Sequence, residues 1–211
     1  MAGPASRLRD RLPDGLALDT YDGEAWVTAL PHRIVGLRLG GRRLPVTFPQ
    51  LNVRTYVRRG NETGVFFLGC ETGNRLGAVV ARRGFGVPFH RAEMRFTESG
   101  GRFTVRSRRS LTGGDVRFDV RYRPTGEATP ADPGSLAAFL VERTRWYVPG
   151  SGSSLRVGEI DREPWRLAPV EASLRADTLD AAFDLPLDGE PTLHYSPGYA
   201  MNVTPPRRVE P

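Results

Sequence analysis

Asn52, Arg54 and Tyr56 form the pattern best suited to chemistry in this sequence. They alternate with Val53, Thr55 and Val57, so in a strand the three project from one face. A guanidinium placed there grips a carboxylate in bidentate fashion, with the amide and the phenol fixing its orientation. That requires the Val53/Val57 face to pack against helices, leaving the triplet toward a cavity. The alternative is a solvated strand face, or an arginine paired to a nearby acid. Arg143 falls four residues after Phe139 and seven after Leu136, on the apolar stripe of an expected helix. A charge on that stripe needs a reason: it pairs with an acid, snorkels to solvent or reaches a pocket. Glu142 beside it points about 100° away. Arg82 and Arg83 follow a helix near a glycine-rich bend, where they bind an anion or complement the helix C-terminus.

Other chemistries are excluded by residue type. All 30 basic residues are arginine and none is lysine. Arginine stays protonated and cannot act as an amine nucleophile, so the only primary amine is the N-terminus. His32, His90 and His194 lack metal-ligand spacing, and the lone Cys70 excludes an intramolecular disulfide and a cysteine-based zinc site. Ser153, Ser154 and Ser196 lack a nucleophile-elbow context, and Gly150-Ser151-Gly152-Ser153 is not a phosphate loop. No metal and no cofactor is expected.

The elements that must position these residues read as follows. Pro4 to Leu12 is a short amphipathic helix ended by Pro13-Asp14-Gly15. Glu24–Leu30 and Arg33–Leu39 are strands around a break at Pro31, and Val46–Arg58 is the strand of the triplet. Gly64–Cys70 is a continuous apolar run, buried on both faces. Asn74 caps a helix reaching Arg82 or Arg83. Ala92–Glu98, Arg102–Arg108 and Val116–Arg123 form antiparallel strands joined at Ser99-Gly100-Gly101 and Thr112-Gly113-Gly114-Asp115. Ser135 caps a helix to about Arg145. Trp146–Val148, Leu155–Arg162, Trp165–Arg175, Ala181–Leu185 and Pro191–Val203 read as further strands, and 203–211 as a loose tail.

With 211 residues, 39% hydrophobic and 26% charged, the chain suits one soluble domain, 1–211. The formal charge of +6 is spread among 24 acids without a long basic run, so nucleic-acid binding is expected to be weak and non-specific at most. The sequence carries no membrane-length apolar run and no signal-peptide core, so the expected location is cytoplasmic. Self-association is left open.

Several stretches resemble a known family. Leu12-Pro13-Asp14-Gly15-Leu16 through Ala25-Trp26-Val27, then Phe48-Pro49-Gln50-Leu51-Asn52-Val53-Arg54-Thr55-Tyr56-Val57-Arg58, are similar to the domain of unknown function 2071, or YqjF-like, family. Tyr122-Arg123-Pro124-Thr125-Gly126, Phe139 to Thr144, Glu163 to Leu167 and Leu193 to Ser196 extend the resemblance over nearly the whole chain. That family usually begins with a strand before the first helix, whereas this chain starts at or just before the helix; a missing edge strand and a misassigned start codon are both left open.

The resemblance extends to acetoacetate decarboxylases, and it implies a fold: α+β and β-rich, a curled or closed antiparallel β-barrel with two or three short helices. In those enzymes a lysine forms a Schiff base and a neighbouring lysine lowers its pKa. The pair aligns with Arg82-Arg83, which cannot do this. Glu71 and Glu93 become candidate acids only by their place near the implied pocket. The expectation is a barrel binding a small carboxylate or keto compound through Arg54, with no lysine Schiff base. Whether it turns its ligand over is open, and the alternative is a non-enzymatic ligand-binding or protein-interaction domain.

Overall fold

The computed structural model describes residues 1–39, 42–112, 114–187 and 189–209. After β1 (Ala2–Gly3), helix α1 (Ala5–Arg9) and β2 (Ala17–Leu18), the chain forms a long hairpin of β3 (Ala25–Leu39) and β4 (Arg42–Arg59), then β5 (Glu62–Thr72). Pro31 does not break β3; it stands opposite Leu51. There β3 has β4 on one side only among the described residues, and a proline's missing donor is tolerated at such an edge. β5 is apolar and buried along much of its length, as its composition requires.

Helix α2 (Arg75–Val80) begins at Asn74, whose side chain accepts from the Gly77 N–H at 2.8 Å. It continues as a π-helical turn, Ala81–Phe85, into β6 (Phe89–Arg91). The strands β7 (Glu93–Ser99), β8 (Arg102–Leu111) and β9 (Gly114–Pro124) are antiparallel neighbours, as expected; Gly113 in the second turn lies outside the described residues. Then follow β10 (Thr129–Pro130), α3 (Leu136–Val141), β11 (Arg145–Pro149), β12 (Leu155–Arg162), β13 (Arg166–Leu167), β14 (Val170–Asp177), α4 (Leu179–Ala182) and β15 (Met201–Arg208).

One sheet runs β1-β3-β4-β5-β11-β12-β15, with β2 also on β4 and β6 also on β5; a second runs β14-β9-β8-β7; β10 and β13 form a small pair. The β-rich α+β expectation holds, and the closed form of the barrel is corrected. No ladder among the described residues joins the end strands of the large sheet into a closed barrel. Two of its ladders, β5 with β11 and β5 with β6, are parallel, because the chain returns to β5 through long crossovers. Among the described residues the helices number four, with the π turn besides.

Other expectations are corrected too. The helix of α3 stops at Val141, since Glu142 leaves helical geometry at ψ 61. Ala181–Leu185 is not a strand: α4 and its turn occupy it, with Leu179, Phe183 and Leu185 buried. Trp165–Arg175 divides at Ala168-Pro169 into β13 and β14, which lie in different sheets. The chain from Pro191 to Ala200 is irregular apart from a bridge of Tyr195 to Ala168. Residues assigned to a loose tail form β15 as far as Arg208, paired antiparallel to β12; residues 210–211 lie outside the described ones. Ala2 and Gly3 pair with Trp26 and Ala25, so an edge strand is present on β3.

The core fills both sides of β4. Leu51 and Val53 cluster with Val105, Val116, Phe118 and Val120 of the second sheet. Tyr56 clusters instead with Val65, Phe89, Leu140 and Trp146. No helix among the described residues is long and apolar enough to cross a membrane.

Candidate functional site

Because β4 is buried on both faces, its period-2 alternation sorts residues between two cores rather than between core and solvent. The Val53 face meets the second sheet together with Leu8 of α1 and Leu179 of α4, while Val57 packs with Tyr147 and Val157. The opposite face carries Asn52, Arg54 and Tyr56 toward α3. The Tyr56 hydroxyl donates to the Leu140 carbonyl at 2.9 Å, so the Thr28 hydroxyl, 2.6 Å away, donates to it. Arg54 Nη2 donates to the same Leu140 carbonyl at 3.1 Å. Helix α3 is placed for this by its cap: Ser135 Oγ accepts from the Ala138 N–H at 3.2 Å.

Arg143 joins the group from beyond the end of α3, off the stripe it was expected to occupy. Its Nε donates to the Phe139 carbonyl at 2.9 Å, and its Nη1 meets Asp19 Oδ2 at 2.7 Å. Its guanidinium lies over Phe139 at 4.3 Å and faces Tyr56 at 5.5 Å. Pairing is thus the reason for this charge. Asn52 accepts from Gln50 Nε2 at 2.7 Å.

Arg54 differs from the other buried arginines. It is only 9% exposed, and its Nε is buried with no hydrogen-bond partner. Among the described residues no carboxylate lies within ion-pair distance of it, whereas Arg109 holds Glu71, Arg143 holds Asp19 and Arg162 holds Glu142. Its charge reaches several neighbours. Desolvation and the Arg54 charge lower His32 to about 4, against the pull of its bond to the Leu30 carbonyl, so the ring is neutral near pH 7. With Nδ1 donating to Leu30 O at 3.1 Å, the neutral ring keeps Nε2 as an acceptor. Burial raises the Cys70 thiol and the Tyr199 phenol, and Arg54 opposes both shifts.

Sequence reasoning missed Asp19, His32 and Tyr199 as members of this neighbourhood. It also missed the support beside them: Arg162 donates to the Val141 carbonyl at 2.7 Å and packs over Tyr199 at 5.3 Å, while Tyr199 meets Trp165 edge-on at 4.6 Å. No local spacing signals these long-range meetings. Arg82 and Arg83 stand outside the group: both are exposed on the π turn, where Arg82, with Arg109, lowers a His90 already lowered by burial. Glu71 is buried and engaged, accepting from Ser107 Oγ at 2.6 Å and Arg109 Nε at 2.9 Å. Glu93 is exposed.

Residues 2–200 match the DUF2071 family, whose description is an uncharacterized conserved protein. The uncharacterized protein YqjF of Bacillus subtilis (strain 168) is 34% identical over 197 residues, spanning 90% of this chain and 80% of that one. Among solved structures, acetoacetate decarboxylase from Legionella pneumophila is similar with a TM-score of 0.57 at 12% identity, over 98% of this chain and 78% of its own. The enduracididine biosynthesis enzyme MppR, complexed with pyruvate, gives 0.56 at 11% identity over 97% and 82%. Another acetoacetate decarboxylase structure gives 0.59 at 12% identity over 99% and 83%. At these identities the structural likeness speaks for the fold.

Proposed function

The chain belongs to the DUF2071 family, with an acetoacetate decarboxylase-like fold, and from that premise we propose that it binds a small carboxylate or keto acid through Arg54 without forming an imine. The observation that carries this reading is the buried Arg54 guanidinium with an unpartnered Nε and no acid within ion-pair distance among the described residues. An uncompensated buried charge costs several kcal/mol, and a ligand carboxylate supplies the missing counter-charge and accepts the idle N–H. Asn52 and the neutral His32 are the polar groups available to orient the rest of the ligand. Pyruvate, bound in the MppR structure, is a keto acid of the class proposed.

The sequence has no lysine, so no side chain can form the iminium that would draw electrons from a decarboxylating keto acid. Acid–base work on a bound ligand falls to His32 and Tyr199, which with Cys70 are groups whose protonation Arg54 already influences.

Calorimetric titration with pyruvate and with acetoacetate tests this. The wild type binds at least one of them, and Arg54→Lys, which loses the planar fork, weakens binding by about 1–3 kcal/mol. Equal affinity in the variant, or no binding by the wild type, overturns the reading. Borohydride added with either acid leaves no adduct on an internal peptide; a mass increase on one by peptide mapping overturns the non-imine route.

A further inference from the structure

The solvent face of the second sheet is rich in arginine. Alternation along β8 and β9 turns Phe103, Val105, Phe118 and Val120 inward and leaves Arg102, Arg106, Arg108, Arg117, Arg121 and Arg123 outside, all exposed. The acids on this face are not evenly spread. At one end Asp119 holds Arg106 at 3.0 Å, and Asp115 holds Arg108 at 2.8 Å and Arg117 at 3.0 Å. At the other end lies a groove of about 440 Å³ bordered by Arg102, Arg121, Arg123 and Arg175, with Glu171 as its only carboxylate among the described residues. Glu171 is taken by Arg123 at 3.0 Å.

The register builds this groove around Arg121. Thr104 of β8 and Ser173 of β14 stand directly opposite it on either side. Arg175, two residues after Ser173 on the same face and the extra residue where the register shifts between Leu174 and Ala176, also borders the groove. Arg121 and Arg123, two residues apart on one strand, are separated by about 7 Å, and Arg102 lies one strand away at about 5 Å. A monocarboxylate would meet one of these guanidinium groups and leave the others repelling each other. Adjacent phosphoryl groups match the spacing, each taken by a planar fork, with the two hydroxyls donating to the remaining oxygens. Phe103 and Tyr122, which also border the groove, are stacked on each other at 5.1 Å toward the inner side, so no ring is offered to a base.

We propose that this groove binds a small oligophosphate and recognises the phosphate chain rather than any base or sugar attached to it. The site is separate from Arg54 and does not depend on the carboxylate reading.

Titration calorimetry of the full chain with inorganic tripolyphosphate at physiological salt tests it. The expected result is saturable binding to one site, weakened about tenfold or more by Arg121→Gln and likewise by Ser173→Glu, which sets a carboxylate beside Arg121. Arg117→Gln, outside the groove, changes affinity less than about twofold. ATP binds as tripolyphosphate does, and adenosine does not bind. Arg117, Arg121 and Ser173 are exposed, and circular dichroism confirms that each variant, including the buried Arg54→Gln, is folded. Absence of saturable binding overturns the proposal. So does an equal loss in Arg117→Gln, which would mean diffuse charge, or a loss in Arg54→Gln with none in Arg121→Gln. A single-stranded oligonucleotide that binds more tightly than tripolyphosphate and displaces it would replace the small ligand with nucleic acid.

Discussion

His32 is the residue through which this neighbourhood senses pH. Burial and the Arg54 charge depress it from 6.5 to about 4. The unfolded chain binds this proton below about pH 6.5, while the native chain binds it only near 4. Its contribution to stability is therefore complete above pH 6.5 and is lost as pH falls through that window, by up to about 3 kcal/mol. Urea unfolding at pH 7 and pH 4.5 measures the loss, and His32→Phe flattens it; an identical pH slope in the variant rejects the assignment. His90 and His194 are lowered in the same direction, so only the difference between wild type and variant isolates His32. Nothing in the sequence marked His32 out from the other two. Its shift comes first from burial and then from Arg54, which is brought close because β3 and β4 pair with His32 opposite Gln50 and Thr28 opposite Arg54.

Among the elements, α3 does the most for its length. Six residues place one carbonyl, Leu140 O, where it accepts from both Arg54 and Tyr56. Loss of the Ser135 cap by Ser135→Ala is expected to cost about 1 kcal/mol of stability and to weaken ligand binding at Arg54 as well. Thermal unfolding together with the pyruvate titration separates the two effects; a destabilised variant with unchanged affinity shows that α3 does not shape the site. The cap was legible in the sequence, as was the one at Asn74, because capping is a contact between residues three apart. The end of α3 was not. The apolar stripe extends toward Arg143, but the bond of Arg162 to Val141 O and the grip of Glu142 on the Trp165 N–H at 2.8 Å draw the chain out of the helix. Those partners come from a distant part of the sequence, and they also explain why Arg143 sits beyond α3 and not on it.

At the scale of the whole molecule, the two sheets are joined by an apolar layer and, among the described residues, by one buried polar bridge. Glu71 of β5 takes Ser107 and Arg109 of β8, with side-chain exposures of 3% for Glu71 and 11% for Arg109. Arg109→Met leaves the Glu71 charge buried without its partner and is expected to cost about 3 kcal/mol or more, whereas Glu71→Met with Arg109→Met recovers most of the loss. Equilibrium denaturation of the three proteins measures this, and additive losses in the double variant would show that the pair is not coupled. Three of the second sheet's four strands were legible as antiparallel neighbours because their turns and alternation are local, whereas β14 joins β9 from a distant part of the chain. Closure of the larger sheet into a barrel was misjudged, and its two parallel ladders were not foreseen. Those ladders join strands far apart in sequence, and no spacing within either strand announces them.

Residue type alone determined what this protein cannot do. A chain without lysine offers no side-chain amine, whatever its fold. Composition and period also determined the doubly buried β5, the two helix caps and the inward and outward faces of β8 and β9, since each rests on contacts within a few residues. Only the tertiary structure decided how charges were shared. It gave Arg143 to Asp19, Arg162 to Glu142 and Arg109 to Glu71, left Arg54 without an acid among the described residues, and put Arg82 and Arg83 on the surface. The reason is physical: an ion pair depends on a few ångströms of separation and on the water excluded around it. Both are set by which distant strands become neighbours.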